Sequence, residues 1–195
     1  MKPLIKFTFV LTTVLLFMAF NIPKGWNKSG SDPDKYEMNI EKGAGQDGKI
    51  AATIKSLSDL KPNSSAAMTQ TFAAEKYLGK RIRMTAFMKT KDVLGWTGFM
   101  LRVDQNGPPG QNQIPAIDNM RDRQIKGSTD WKKHEIVLDV VANASNIIFG
   151  ASLNGEGQIW FDNFSFEIVD NTVPLTGSGA KNITKAQPEN LNFEE

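Results

Sequence analysis

The sequence predicts an all-β domain, and three observations point to that class. Residues 79–104 alternate apolar and polar side chains over most of their length, which is the period of strands that bury one face. The chain contains 16 glycines and 9 prolines, which divide it into short segments with turn signals between them. No part of the body carries a sustained helical stripe of apolar residues. At 195 residues, the chain has the length of one domain with tails.

The N-terminus has the layout of a secretory signal. Lys2 and Lys6 precede an uncharged run at residues 7–20, which is shorter than the roughly 20 apolar residues of a membrane span. We therefore expect a signal peptide over residues 1–22 and a secreted or periplasmic location. No pair of small residues defines a cleavage site, so an uncleaved anchor stays open, and only then is a membrane contact expected.

Composition excludes several classes of function. The formal charge is +2, and loss of the two N-terminal lysines takes it to zero, so nucleic acid is not an expected partner. The chain has no cysteine and therefore no disulfide or thiol chemistry. His134 is the only histidine, which excludes a histidine-rich metal site and a triad with a second histidine. Nothing in the composition indicates an oligomeric state.

Segments with strand-like alternation follow one another along the body, separated by glycine-rich or proline-containing turns. In the last of them, Ile159 and Phe161 share one phase while Phe164 and Phe166 share the other, so we expect a bulge at Asp162 and Asn163. A first strand near Tyr36 is expected at a sheet edge, and residues 127–134 are expected to form a turn. Residues 116–126 are expected to form a broken strand, because their middle is charged. The predicted strands, about nine in number, are residues 36–40, 50–57, 66–72, 82–89, 98–104, 116–126, 135–141, 147–153 and 158–169.

Residues 79–104 are expected to form two long antiparallel strands joined by a short loop. Their second face combines aromatic side chains with charged hydrogen-bonding groups, which suits the apolar patches and hydroxyls of a sugar. Asn119 and the proline-rich loop at residues 105–115 would border this surface. An ordinary sheet face shielded by a loop is the alternative. The predicted ligand-binding residues are Phe87, Trp96, Met100, Arg102, Asp104 and Asn119.

The C-terminal half resembles a known family. GSTDWKKHEIVLDV at residues 127–140 and QIWFDNFSFEIV at residues 158–169 are similar to the end of a galactose-binding-like jelly roll, the fold of many carbohydrate-binding modules. The resemblance covers residues 25–170 and implies a jelly-roll β-sandwich of two antiparallel sheets. The chain is also similar to extra domains on bacterial transcriptional regulators and secreted proteins. In such modules the residue matching Trp131 packs structurally.

The same resemblance suggests a structural calcium ion at Asp162. Carbonyls of the glycine-rich turn at residues 42–49, together with Asp47, would complete the oxygen ligands. The alternative is that Asp162 only accepts hydrogen bonds at the bulge.

Residues 171–195 change to a Gly, Ser, Thr, Lys, Asn and Pro composition, which is typical of a flexible linker. The closing NLNFEE at residues 190–195 resembles the first strand of another jelly roll, as if a second module were lost.

These features predict an exported, non-catalytic module for a carbohydrate or similar polar ligand. A protein-interaction, spacer or sensor domain is the second interpretation. A glycoside hydrolase is the third, in which Asp104 and Asp118 would face each other at roughly 5 to 9 Å. Trp96 is the residue expected to stack on the ligand, whereas Trp160 is expected on the convex side or under the N-terminal segment.

Overall fold

The computed structural model describes residues 22–107 and 115–177, and it confirms an all-β fold. Two single-turn 3-10 helices, Pro33–Lys35 and Glu75–Tyr77, lie between strands. Within the described ranges no helix has the length and apolar character needed to cross a bilayer. The nine strands are β1 (Trp26–Ser29), β2 (Tyr36–Lys42), β3 (Ile50–Ser56), β4 (Ser65–Ala73), β5 (Lys80–Gln105), β6 (Ala116–Asp118), β7 (Ile125–Val140), β8 (Ala144–Asn154) and β9 (Gln158–Val169).

Some predictions lie outside the described residues. These are the signal peptide except for Ile22, most of the proline-rich loop, and the linker from residue 178 onward.

The long strand β5 belongs to two sheets. Its first half, residues 80–91, pairs with β9 and β7, and its second half, residues 96–105, pairs with β8 and β6. The start of β7 also reaches the second half, where Ile125 pairs with Thr97. Phe149 of β8 and Phe166 of β9 have ring centroids 4.9 Å apart, although an extended chain would separate them by roughly 50 Å. The chain therefore doubles back, and the two sheets face each other as a jelly-roll sandwich.

Each sheet contains five strand segments, and all pairings are antiparallel. The first sheet has the order β2, β3, β9, first half of β5, β7. The second has the order β1, β4, β8, second half of β5, β6. Because β2 ends the first sheet, the predicted edge position of the strand near Tyr36 is confirmed.

The core lies between the two sheets. Alternate residues of both halves of β5 point into it, including Met84, Met88, Phe99 and Leu101, which are at most 1% exposed. Their neighbours along the strand point outward. The alternation in the sequence thus predicts correctly which side chains of β5 point into the core and which point outward.

The prediction of two antiparallel strands at residues 79–104 was right in direction but wrong in pairing. The two halves of β5 do not pair with each other, because each half pairs with strands of a different sheet. The chain reverses near Asp92, whose φ is 52°. Gly157, in the turn between β8 and β9, packs against this reversal of the chain. A Cβ at Gly157 would lie 2.7 Å from Val93 Cα, so only glycine permits the two turns to pack this closely.

Two other element predictions were wrong. The polar stretch at Trp26–Ser29 forms β1, which pairs with β4. Residues 127–134 are not a turn, because β7 runs without interruption from Ile125 to Val140. Backbone pairing with β4 and β5 decided both cases, since it accepts polar side chains. The broken strand predicted at residues 116–126 is confirmed, because Ala116–Asp118 forms β6 and residues 125 and 126 begin β7.

The predicted bulge in the last strand is confirmed. The register between β5 and β9 shifts between Thr85 and Phe87, opposite Asp162 and Asn163. Asn163 has a φ of 57°, a conformation that asparagine tolerates better than most residues.

The folded unit continues past residue 170. Arg81 Nη1 donates to the carbonyl oxygens of Asn171 and Val173 at 2.6 and 2.7 Å. Thr176 N donates to Val137 O at 3.1 Å. The first residues of the predicted linker, 171–177, therefore contact the sandwich.

The tryptophan that packs on the core is Trp26. The Trp26 ring lies 5.4 Å from that of Phe149 and 5.7 Å from that of Phe164, and it packs against the core. Trp131 is half-buried and lies outside the core cluster. The packing role that the resemblance implied for Trp131 therefore does not lie in this core cluster and stays a prediction.

Candidate functional site

The predicted ligand-binding residues lie on two opposite surfaces. Phe87, in the first half of β5, pairs in register with Asp162 and faces outward from the first sheet. The other β5 residues of the set pair with β8 and face outward from the second sheet. The expectation of one shared face is wrong, because β5 changes sheet between Phe87 and Trp96. We call the outer face of the second sheet, which bears Trp96, Met100, Arg102 and Asp104, the Trp96 face.

The charged groups on the Trp96 face bind each other. Arg102 Nε donates to Asp104 Oδ1 at 2.6 Å, and the two side chains are 41% and 24% exposed. Asn119 lies next to β6 at the edge of the same sheet, and its Oδ1 accepts a hydrogen bond from Arg121 N at 3.2 Å. These polar groups therefore have partners within the protein, and their contact with a ligand stays a prediction.

A different tryptophan occupies the centre of the opposite surface. Trp160 of β9 pairs in register with Thr53 of β3 and Lys89 of β5, so it lies mid-way across the first sheet. Its Nε1 donates to Glu41 Oε2 of β2 at 2.7 Å, and Lys89 Nζ lies 5.7 Å from its ring centroid. The hydrogen bond fixes the orientation of the indole on the sheet. We call this surface, the outer face of the first sheet around Trp160, the Trp160 face.

Two cavities flank Trp160. One, of about 730 Å³, lies over β2, β3 and β9. The other, of about 440 Å³, lies over β9, β5 and β7. Trp160 lines both, and we call these two cavities, with the indole between them, the depression. The larger cavity is lined by Glu37, Asn39, Ile40, Glu41, Lys42, Thr53, Lys55, Gln158 and Trp160.

The depression suits a ligand with both apolar and polar surfaces. An indole offers a flat apolar surface, while Asn39 and Gln158 supply hydrogen-bond donors and acceptors around it. Gln158 Nε2 donates to Thr53 Oγ1 at 3.2 Å, which orients the amide. This combination is what a shallow sugar site requires.

Sequence reasoning noted that Trp160 is out of phase with Ile159 and Phe161 but did not recognise the site. The out-of-phase position was the available signal, because it places the indole on the outer face. The Glu41 contact joins residues 119 positions apart, and no sequence pattern indicated it.

The predicted carboxylate pair of a glycosidase is not arranged for catalysis. The Asp118 side chain is 2% exposed and forms a two-point ion pair with Arg123. It also accepts hydrogen bonds from Met120 N at 2.8 Å and from Thr176 Oγ1 at 2.5 Å. Its oxygens thus serve to hold the structure together, and Asp104 is paired with Arg102.

The two segments of the predicted calcium site lie next to each other, but their contacts are hydrogen bonds and not the expected oxygen ligands. Asp162 lies beside the glycine-rich turn, as expected, but its Oδ2 accepts from Gln46 N at 3.2 Å and its Oδ1 from Asn163 N at 2.7 Å. Asp47 instead binds Lys49, whose N–H lowers the pKa of that carboxyl. N–H groups cannot ligate a cation, so this arrangement does not fit calcium and agrees with the hydrogen-bonding alternative.

In the described ranges, no group of three or more His, Cys, Asp or Glu side chains is placed to hold a metal ion. Calcium binding itself stays a prediction.

His134 faces the interior of the sandwich near Phe99, with ring centroids 6.1 Å apart. Burial lowers the pKa of His134, and the nearby charges of Lys132 and Arg123 lower it further. The imidazole is therefore favoured in its neutral form, and its position suits packing.

One curated relative matches over most of the chain. It is the uncharacterized HTH-type transcriptional regulator YbfP of Bacillus subtilis (strain 168), which is 40% identical over 172 residues. The match covers 88% of this chain and 57% of the regulator, so the chain spans little more than half the length of that relative. No protein-family model matches the chain.

Solved structures similar to this one include carbohydrate-binding modules. The CBM22-1–GH10 modules of Clostridium thermocellum xylanase 10B, complexed with xylohexaose, have a TM-score of 0.54 at 15% identity, over 78% of this chain and 28% of that one. The CBM22-1 xylan-binding domain of Paenibacillus barcinonensis Xyn10C has a TM-score of 0.52 at 10% identity, over 75% and 87%.

An enzyme is also among the similar structures. The enzymatically active domain of bacteriophage CBA120 tailspike protein 4 has a TM-score of 0.51 at 16% identity, over 75% of this chain and 20% of that one. At these identities the likeness concerns the fold alone. The chain has the jelly-roll fold that carbohydrate-binding modules share.

Proposed function

We propose that this chain is an exported, non-catalytic module that binds a carbohydrate or similar polar ligand on the Trp160 face. The observation that carries the proposal is the position of Trp160, whose indole lies between two cavities and donates a hydrogen bond to Glu41. Polar side chains surround this apolar centre. The solved carbohydrate-binding modules with the same fold support a carbohydrate as the ligand class.

The geometry favours weak binding. The depression is open and lies on a sheet face, so a ligand keeps much of its surface in water. Stacking on one indole contributes on the order of 1 kcal/mol beyond area burial. We therefore expect affinity to depend strongly on Trp160 and to rise when several sugar units span both cavities.

The non-catalytic part of the proposal is supported by the state of the carboxylates. Asp118, the buried member of the predicted pair, has its oxygens occupied by Arg123, Met120 and Thr176. The export part rests on the sequence of residues 1–22. Intact mass and fractionation of the expressed chain test it, because a cytoplasmic protein of full mass would contradict export.

A glycan array followed by affinity electrophoresis tests the binding site. We expect Trp160→Ala to weaken binding to the glycan found by at least about tenfold, and Trp96→Ala to leave it unchanged. The two variants remove the same side chain from opposite faces, so each is the control for the other. Loss of binding in Trp96→Ala alone would instead place the site on the Trp96 face.

The second candidate is a sensor domain of a transcriptional regulator. It is favoured by the 40% identity to YbfP, whose name describes a regulator of the HTH type. In that case the Trp160 face would bind a small effector and not a polymer. Binding to no glycan on the array, together with a co-purified protein partner, would favour an interaction domain over both.

A further inference from the structure

Lysine side chains surround Trp160 on the central strands of the first sheet. Lys55 of β3 and Lys91 of β5 both pair in register with Gln158 of β9, one from each side. Their Cα atoms are therefore about 10 Å apart, two strand spacings. Lys89, two residues before Lys91, pairs with Trp160 itself. The three lysines thus lie on both sides of β9, around the indole and its neighbouring amide.

These lysines have no carboxylate partner among the described residues, where no ion pair within 4.0 Å includes them. Two acidic groups of the first sheet accept N–H hydrogen bonds, which leave their negative charge in place. Glu41 accepts from Trp160 Nε1 at 2.7 Å, and Asp162 accepts from Gln46 N at 3.2 Å.

Near the other end of the sheet, Arg83 binds two carboxylates, so these three groups carry a formal charge of −1, away from the residues that line the cavities. Its Nε lies 3.2 Å from Glu135 and its Nη1 2.9 Å from Glu167. The remaining acids that line the cavities, Glu37 and Asp130, are on the edge strands β2 and β7. Together the two cavities are lined by four lysines and three acids, a formal charge of +1, and three of these lysines lie on the central strands β3 and β5.

We propose that the ligand of the Trp160 face is an acidic glycan, one whose sugar units carry carboxylate groups. This inference rests on the proposed function, since it names the ligand class of the same site. The lysines would bind the carboxylates, and Trp160 would contact the apolar side of a sugar ring. The spacing of about 7 Å between Lys89 and Lys91 along β5, and about 10 Å across β9, suits a polymer with a repeated charge better than a single anion.

Substitution of Lys89 would show whether the ligand is acidic or neutral. Its ammonium lies 5.7 Å from the Trp160 centroid, within the range of a cation–π contact. A neutral sugar that stacks on the ring must displace it, so Lys89→Met would strengthen or preserve binding of a neutral glycan. A carboxylate would instead bind this ammonium, so the same substitution would weaken binding of an acidic glycan.

The test compares polygalacturonate with its methyl ester, which keeps the backbone and removes the charge, and with neutral galactan. Binding of the full chain is measured by titration calorimetry and affinity electrophoresis. We expect binding to the acid form at least about tenfold tighter than to the ester, and a further loss in 300 mM salt, because exposed ion pairs are screened.

Two triple variants complete the experiment. Substitution of Lys55, Lys89 and Lys91 by Gln is expected to weaken polygalacturonate binding about tenfold, since each exposed pair contributes about two- to fivefold. The matched control replaces Lys28, Lys61 and Lys76, which are exposed and outside the Trp160 face, and it removes the same net charge. Equal losses in both variants would mean that net charge, and not this site, governs binding, and would overturn the inference.

The remaining outcomes distinguish a failure of the acidic specificity from a failure of the carbohydrate-binding function. Equal binding of the acid and its ester, or tighter binding of galactan, would overturn the acidic specificity and leave the carbohydrate function standing. Binding of none of the three polysaccharides, together with an empty glycan array, would overturn both.

Discussion

The ion pair between Asp118 and Arg123 is predicted to be a main source of stability. Asp118 accepts from Arg123 Nη2 at 2.6 Å and from Nη1 at 3.0 Å, and its side chain is only 2% exposed. It also joins three parts of the chain, because Met120 N and Thr176 Oγ1 donate to the same carboxylate. Asp118→Ala removes all four contacts and leaves the guanidinium without its main partner.

The expected cost follows from the burial of the two groups. Breaking a buried ion pair by removing one partner typically costs 3 to 5 kcal/mol. Arg123 is 32% exposed, so water can solvate part of it, and the lower end of that range applies. We expect Asp118→Ala to lower the free energy of unfolding by about 3 kcal/mol, which is more than a hundredfold in the unfolding equilibrium constant. Burial lowers the pKa of Arg123, but the hydrogen bonds and charges of Asp118 and Asp122 outweigh it and leave that pKa raised.

Urea unfolding followed by fluorescence and far-UV circular dichroism measures this change. With a slope typical of small domains, 3 kcal/mol shifts the midpoint by about 1 to 3 M urea. Asp122→Ala is the matched control, because Asp122 is 38% exposed and accepts one hydrogen bond from the same arginine at 3.0 Å. It should cost less than about 1 kcal/mol. If the two variants unfold at the same urea concentration, the assignment of stability to the buried carboxylate is refuted.

Three further outcomes are expected. Trp26→Ala should lower the free energy of unfolding by about 3 kcal/mol in urea titrations, because Trp26 packs on the aromatic core. Trp131→Ala should lower it by less than about 1 kcal/mol. Equal losses would contradict the assignment of Trp26 as the tryptophan that stabilises the core. Burial lowers the pKa of His134 in the folded state from its usual 6.5, so the unfolded state binds the proton better and stability should fall as pH drops below about 6.5. This decline, measured by thermal melting from pH 7.5 to 5.5, should be smaller in His134→Gln, and an identical decline would exclude His134 as its source. If Asp162 only accepts hydrogen bonds, the melting midpoint should be the same with calcium and with a chelator, and Asp162→Ala should lower it. A midpoint that calcium raises in the wild type but not in Asp162→Ala would instead support a metal site at Asp162.

Much of the fold could be predicted from local patterns. Alternation of apolar residues located most strands and their inner and outer faces, and the phase slip near Asp162 located the bulge correctly. Each of these is a property of residues a few positions apart. Strand Trp26–Ser29 was missed because only one of its four residues is apolar, and its pairing with β4 uses backbone groups that every residue carries.

The site could be predicted only in part for the same reason. The sequence showed which side chains of β5 point outward, but it could not show that Phe87 and Trp96 belong to different sheets. That depends on the reversal of the chain near Asp92 and on the close packing of Gly157 against Val93. A period of two is the same whether a strand continues in one sheet or passes to another.

The sequence by itself therefore determined the all-β class, most of the strands, the bulge and the outward position of Trp160. The tertiary structure alone decided which outward residues become neighbours. It brought Glu41 to Trp160 across 119 positions, separated Phe87 from Trp96, and buried Asp118 against Arg123. The physical reason is that side-chain alternation is set by the local backbone, whereas strand order is set by which apolar surfaces can be buried together, and that is a property of the whole chain.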